Sequence, residues 1–196
     1  MLVRDLMTPD PQTVTPGTPV KDAISRLADL GITSLPVVDA KRRLCGIVSE
    51  ADLIRDLVPR DPRSQARPVE VHAIFAPATV EDVYTRTAVS VRIDDDVATA
   101  VETMSALSAK SLPVLDLKGR LVGVLSRSDI VQALARADDV IAADIDELLR
   151  DLGHADWLVE VDDGVVHVSG PDGTAERSLA HVVAHTVPGV IEVEVD

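Results

Sequence analysis

The chain has 196 residues, 33 acidic against 19 basic, and is 46% apolar with a single Phe, Tyr and Trp. That length holds one ordinary domain or one domain with a small companion, and the apolar share is enough to bury a core built from Val, Leu, Ile and Ala. So few aromatic platforms leave little on which bases could stack, so no nucleic-acid partner is expected.

In chain order, the most informative feature is an internal repeat. Shifting the sequence by 77 residues aligns Asp5–Arg55 with Asp82–Gln132 without a gap, and 17 of the 51 pairs are identical. Each copy reads as βαββα. A short strand is expected near Thr13–Thr15. Val20, Ala23, Ile24, Leu27 and Leu30 then recur at helical spacing, as do Val97, Ala100, Val101, Met104 and Leu107. Pro19 suits the first turn of that helix, and Gly31 follows its end. Leu35–Asp39 and Leu44–Val48 read as strands joined by the polar turn 40–43, and a second helix is expected from Ser49 through Leu53, Ile54 and Leu57. Equivalent positions in the two copies should lie face to face. Between them, Pro59–Pro77 carries four prolines and three arginines and reads as a linker, with an ordered stretch expected at Val69–Phe75.

The last segment breaks the repeat. Val140–Leu152 has a helical apolar stripe, Trp157–Val161 alternates like a strand, and Asp163-Gly164 signals a hairpin into Val165–Val168. Thr174–Thr186 reads as a helix, Pro188-Gly189 as its stop, and Val190–Val195 as a last strand, which gives αββαβ. Residues 1–75 carry ten charges of each sign and 76–138 seven basic and nine acidic, but 139–196 carry two basic and fourteen acidic. This segment should repel nucleic acid and anionic membranes. A core from fewer than 60 residues needs docking onto the repeats or onto a second subunit.

Both copies contain the same junction, Gly46-Ile-Val-Ser49-Glu-Ala-Asp52 and Gly123-Val-Leu-Ser126-Arg-Ser-Asp129. A strand here ends at a helix N-terminus, where free N–H groups and the helix dipole suit a phosphate. Serine adds a donor, and aspartate three residues on can accept from both hydroxyls of a ribose. Glycine permits a close approach of backbone or ligand. Ser-x-x-Asp taken once reads first as a helix capping box; the recurrence of Gly, Ser and Asp at the same place in both copies weakens that reading in favour of a site.

The pattern Gly-h-x-Ser/Thr-x-x-Asp, preceded by Leu35-Pro-Val-Val-Asp39 and Asp5-Leu-Met-Thr8, resembles the CBS motif, and two copies resemble a Bateman module over residues 1–137. The resemblance implies an α+β fold of two pseudo-twofold-related repeats packed together. It implies adenosine-type ligands: Asp52 and Asp129 on ribose, and Ser49 and Ser126, with Arg127, on phosphate. Gly46 and Gly123 would give close backbone approach. Ile32, Ser34, Leu35 and Pro36, with Ala109, Ser111, Leu112 and Pro113, would line the adenine pockets. Tyr84 departs from Met7 of the first copy, and Lys110 is the nearest cation for a polyphosphate beside the base-pocket loops. Glu50 stands where the second copy has Arg127, so an anionic ligand should prefer the second site.

Val159-x-Val-x-x-Gly164-x-Val166 with Val187-Pro-Gly-Val190 resembles a BON domain over 141–196. The expected division is 1–58 and 78–138 for the CBS motifs, 59–77 for the linker and 139–196 for the BON-like domain. BON-like domains imply phospholipid or partner contact; the acidity here points to a protein partner or a homodimer. The alternative function is an interaction protein acting through that acidic domain with empty clefts. No catalysis, required cofactor or metal is expected. His181 and His185 lie four apart and His167 is a third candidate beside them, without an HExxH pattern. Asp94-Asp-Asp96 precedes a helix and suits its dipole. Cys45, the single cysteine, reads as a packed thiol in a reducing compartment. With no signal-peptide pattern and no membrane-length apolar run, a cytoplasmic location is expected.

Overall fold

The computed structural model describes residues 1–55 and 77–196. The elements in chain order are α1 (Val3–Leu6), β1 (Thr8–Pro9), α2 (Val20–Leu30), β2 (Ser34–Val38), β3 (Leu44–Ser49), α3 (Glu50–Ile54), a 3-10 turn at Val80–Asp82, β4 (Val91–Arg92) and α4 (Val97–Ala106). There follow β5 (Ser111–Leu115), β6 (Leu121–Ser126), α5 (Arg127–Leu134), α6 (Asp138–Asp151), β7 (Leu158–Asp162), β8 (Val165–Ser169), α7 (Thr174–Thr186) and β9 (Glu192–Val195). Linker positions 59–76, the ordered stretch expected at Val69–Phe75 and the reach of the second helix to Leu57 lie outside the described residues.

The described residues form two compact units that do not follow chain order. One comprises Pro9–Arg92 with Lys110–Val124; the other Met1–Thr8, Ile93–Ala109 and Leu125–Asp196.

In the first unit, β2 and β3 pair antiparallel from Ser34↔Ser49 to Val38↔Leu44 with an irregularity between Val37 and Val38. Beneath them lies a core of Val14, Val20, Ala23, Leu27, Leu35, Val37, Val48, Leu53 and Val80. The strand expected at Thr13–Thr15 is only a bridge, Val14 to Val37, whereas its repeat mate β4 pairs parallel with β5, Val91 opposite Val114. Pro19 stands one place earlier than expected: it is the N-cap of α2, with extended ψ of 139°, and Val20 is the first helical residue. Gly31 closes α2 with φ of 63°, a left-handed conformation that suits glycine. Equivalent turns of the two copies meet here, with Arg43 bridged to Arg120 and Leu121 N donating to Arg42 O at 3.2 Å. This is a local twofold relation, because 43 and 120 are the same repeat position.

In the second unit, the last 59 residues show the order αββαβ. β7 and β8 pair antiparallel, and β9 joins β8 in parallel. Ile141, Ile145 and Leu149 from α6 and Ala180 and Ala184 from α7 cover the sheet's apolar face, and Trp157 is buried in the same cluster. The Asp163-Gly164 turn has positive φ at both residues, 48° and 77°, as a two-residue hairpin requires. Asp138 at the start of α6 clamps that turn, its carboxylate accepting from Asp163 N at 2.9 Å and Gly164 N at 3.0 Å.

Candidate functional site

The two junctions are built alike. Ser49, extended at φ −105° and ψ 164°, ends β3 and caps α3. Its Oγ donates to Asp52 Oδ2 at 2.7 Å and its N–H donates to the same oxygen at 3.0 Å, while Asp52 N donates back to Oγ at 3.3 Å. Ser126 and Asp129 repeat this at 2.8, 2.7 and 3.2 Å. Each serine and aspartate therefore forms a capping box, an arrangement whose loss costs about 0.5–2 kcal/mol. The serine proton is committed to the carboxylate, and a phosphate would receive it only if the hydroxyl turned away.

The second oxygen of each aspartate separates the copies. Asp52 Oδ1 accepts from Arg55 Nη2 at 3.3 Å. Asp129 Oδ1 has no partner among the described residues. Asp129, Gln132 and Ala133 share one face of α5 and, with Arg136 just past its end, line a shallow cleft of about 300 Å³ together with Asp5, Leu6 and Pro188. Arg136 spans the rim, donating to Pro188 O at 2.8 Å and to Asp144 Oδ2.

The charged neighbours are also engaged. Glu50 N donates to Thr33 O at 3.0 Å, so the first free N–H of α3 is occupied, and the Glu50 carboxylate pairs with Lys110. The lysine expected to meet a polyphosphate thus neutralises the carboxylate expected to repel one. Arg127 Nη2 donates to Met104 O at 3.1 Å and so caps the C-terminal turn of α4.

The base-pocket residues fall in two groups. Leu35, Pro36, Leu112 and Pro113 are buried in β2 and β5; Leu35 is wholly within the core and offers a ligand only its backbone. Ile32 and Ala109 are half-buried just past the helices, their N–H groups donating to Leu27 O and Met104 O. Ser34 Oγ and Ser111 Oγ lie 2.7 Å apart in one hydrogen bond. Gly46 receives a close approach from the chain itself: a Cβ there would collide with the Thr85 carbonyl oxygen and lie 2.6 Å from Tyr84 Cδ2. Gly123 is buried in β6.

One repeated constellation escaped the sequence reading although its residues are identical in both copies. Asp39 Oδ1 accepts from Lys41 N and Arg43 N, at 2.8 and 2.9 Å, and Oδ2 from Arg43 Nε at 2.7 Å. Asp116 does the same with Lys118 and Arg120. Backbone bonds from Arg43 and Arg120, helped by their guanidinium groups, hold both carboxyls below the usual range. These aspartates lock the hairpin turns. Of the weaker signals, Asp96 caps α4 through Ala98 N at 2.7 Å, and Cys45 is a half-buried thiol beside the core. The His181 and His185 rings lie 4.6 Å apart, and burial, then His181, lowers the His185 pKa. The one group of three metal-ligating side chains among the described residues is Asp138, Asp162 and Asp163, not the histidines.

Comparison with known proteins gives a match to the CBS domain model at residues 3–59 and 80–136. A CBS domain-containing protein of Dictyostelium discoideum is 29% identical over 145 residues, covering 69% of this chain and 92% of that protein. CBSX2 of Arabidopsis thaliana is 29% identical over 148 residues, 62% of its length. The solved structure of CBSX2 in complex with AMP superposes with a TM-score of 0.54 at 30% identity, over 67% of this chain and 94% of that one. The CBS domain pair of protein MJ0100, in complex with 5-methylthioadenosine and S-adenosyl-L-methionine, gives 0.55 at 26% identity, over 67% and 98%.

Proposed function

The chain belongs to the CBS domain family, and on that premise we propose that it is a regulatory sensor module binding an adenosine-containing ligand such as AMP, ADP, ATP or S-adenosylmethionine. The observation that carries this reading is the duplicated strand-to-helix junction with an aspartate at the same place in each copy. The AMP complex of CBSX2 and the S-adenosylmethionine complex of MJ0100 support the ligand class. In the second copy, Asp129 keeps one carboxylate oxygen unbonded, free to accept from sugar hydroxyls; the shallow depression it borders includes none of Ser126, Arg127, Ala109 or Ser111. Asp52 must first give up Arg55, an exposed ion pair of little energetic weight.

In this reading the nucleotide is a regulatory signal, neither substrate nor cofactor, and the chain is a cytoplasmic protein without catalysis of its own. No described helix is long and apolar enough to cross a membrane. The motifs are taken as 1–58 and 78–138 around a 59–77 linker. Residues 139–196 act as a BON-like domain that meets a protein partner or a second copy. Isothermal titration of the full chain with AMP, ADP, ATP and S-adenosylmethionine tests the proposal; heat saturating at one or two sites is expected, and its absence with all four would leave the alternative. That alternative, an interaction protein with empty clefts, draws on the capping boxes, which satisfy both serines without a ligand.

A further inference from the structure

We propose that His181 and His185 form a binding site on α7 for one divalent transition-metal ion. This site lies outside the strand-to-helix junctions and shares no residue with them. The sequence carries no complete metal motif, but the fold brings these two imidazoles together. They stand one turn apart on α7, the spacing by which a helix presents two ligands to a single ion. Their ring centroids are 4.6 Å apart, and the ring planes meet at 60°. With metal–nitrogen bonds of about 2.0–2.1 Å, two imidazoles on a shared ion have centroids roughly 4.5–5 Å apart, so the pair needs little rearrangement.

Both rings are available. Neither forms a hydrogen bond or ion pair with a described residue; His181 is exposed and His185 half-buried. Burial, and then His181, hold the His185 pKa below its usual value, which favours the neutral ring that a metal takes. The other two histidines of the C-terminal segment are engaged elsewhere. His154 stacks on Trp157 with centroids 3.9 Å apart, and His167, on β8, pairs with Glu194 Oε2 at 3.1 Å. Residues 139–196 carry fourteen acidic side chains against two basic, and a field of that sign concentrates cations. Arg177, exposed one turn before His181, is the opposing charge nearest in sequence.

Metal-bound histidines usually hand their second ring nitrogen to a carboxylate or carbonyl, and neither ring does so here. The ion is therefore exchangeable, with water filling its remaining positions. Imidazole suits copper, nickel and zinc, whereas magnesium and calcium prefer oxygen ligands. An ion held here ties two turns of the helix that supplies Ala180 and Ala184 to the C-terminal core, and so staples a small domain.

The test titrates the untagged full chain, freed of metal by a chelator, with nickel chloride and zinc chloride in a calorimeter. One ion per chain is expected. His181→Ala and His185→Ala should each weaken binding by at least the ~10- to 100-fold that losing an outer-shell partner costs. The double variant should bind no more weakly than either single one, the mark of two groups holding one ion. His154→Ala, His167→Ala and excess Mg²⁺ should leave the affinity unchanged. Ni²⁺ should also raise the melting temperature of the unaltered chain but not that of His181→Ala. His181 is exposed, so its alanine variant is expected to fold, and melts without metal verify this. Binding that survives His181→Ala, that is lost with His154→Ala or His167→Ala instead, or that Mg²⁺ displaces overturns the site, as does the absence of binding. The junction residues are untouched throughout, so none of these outcomes bears on nucleotide binding.

Discussion

The two CBS copies share the glycine, serine and aspartate of the junction, yet they present them differently. In the first, both oxygens of Asp52 are engaged and Glu50 is tied to Lys110. In the second, Asp129 keeps an oxygen to spare and Arg127 is turned onto the end of α4. The capping geometry is common, so it reflects what a strand-to-helix junction needs. The differences lie in residues that the repeat leaves free to vary, 50 against 127 and 55 against 132. Duplication has preserved the scaffold and released the neighbours, and the neighbours set what each junction can bind.

Removing each aspartate should separate the two copies most. Asp129→Ala should weaken AMP at the second copy by about 10- to 100-fold, the worth of hydrogen bonds to a charged acceptor. Asp52→Ala should cost less, because Arg55 already competes for that carboxylate; titration calorimetry of the two variants reads the difference, and equal losses would show that the Arg55 contact does not matter. A smaller effect should come from the helix ends. Gly31 and Ser108 occupy the same repeat position and are both left-handed, at φ 63° and 53°. Ser108→Gly should therefore stabilise the chain by about 0.5–1 kcal/mol in urea denaturation, whereas Gly31→Ser should destabilise it.

The smallest effect should be the one the copies share. Asp39 and Asp116 are held below the usual carboxylate range by backbone bonds from Arg43 and Arg120. Their folded pKa lies below the unfolded value of about 3.9, so their contribution is present above that pH and is lost as pH falls through the folded value. Denaturation midpoints followed from pH 5 to pH 3 should drop, and Asp39→Asn and Asp116→Asn should flatten that drop to the same degree. A one-sided response would mean the turns are not equivalent.

Local signals in the sequence carried most of the fold. The helix over Thr174–Thr186 coincides with its expected bounds, and Asp163-Gly164 makes the expected turn, because apolar spacing and turn chemistry act within a few residues. Pro19 stands at the N-cap and not in the first turn: proline's fixed φ serves one as readily as the other, and the sequence does not distinguish them. The Thr13–Thr15 strand shrank to a bridge because strand length depends on a distant partner. The site was legible in its residue types but not in its bonding. Glu50 and Lys110 are sixty residues apart and read in sequence as opposed candidates, whereas the fold pairs them. The repeat did mark Asp39, Lys41 and Arg43, all identical to their mates, but only the folded turn explains that identity.

One feature of the C-terminal segment matters when many copies share a solution. β7 and β9 form the two rims of a three-stranded sheet, and each places carboxylates at alternate positions, Glu160 and Asp162 on one and Glu192 and Glu194 on the other, all exposed. An unguarded rim can template the strand of another molecule and start aggregation. Here an incoming copy would bring its own carboxylates against these, and the repulsion discourages that growth for as long as they stay ionised.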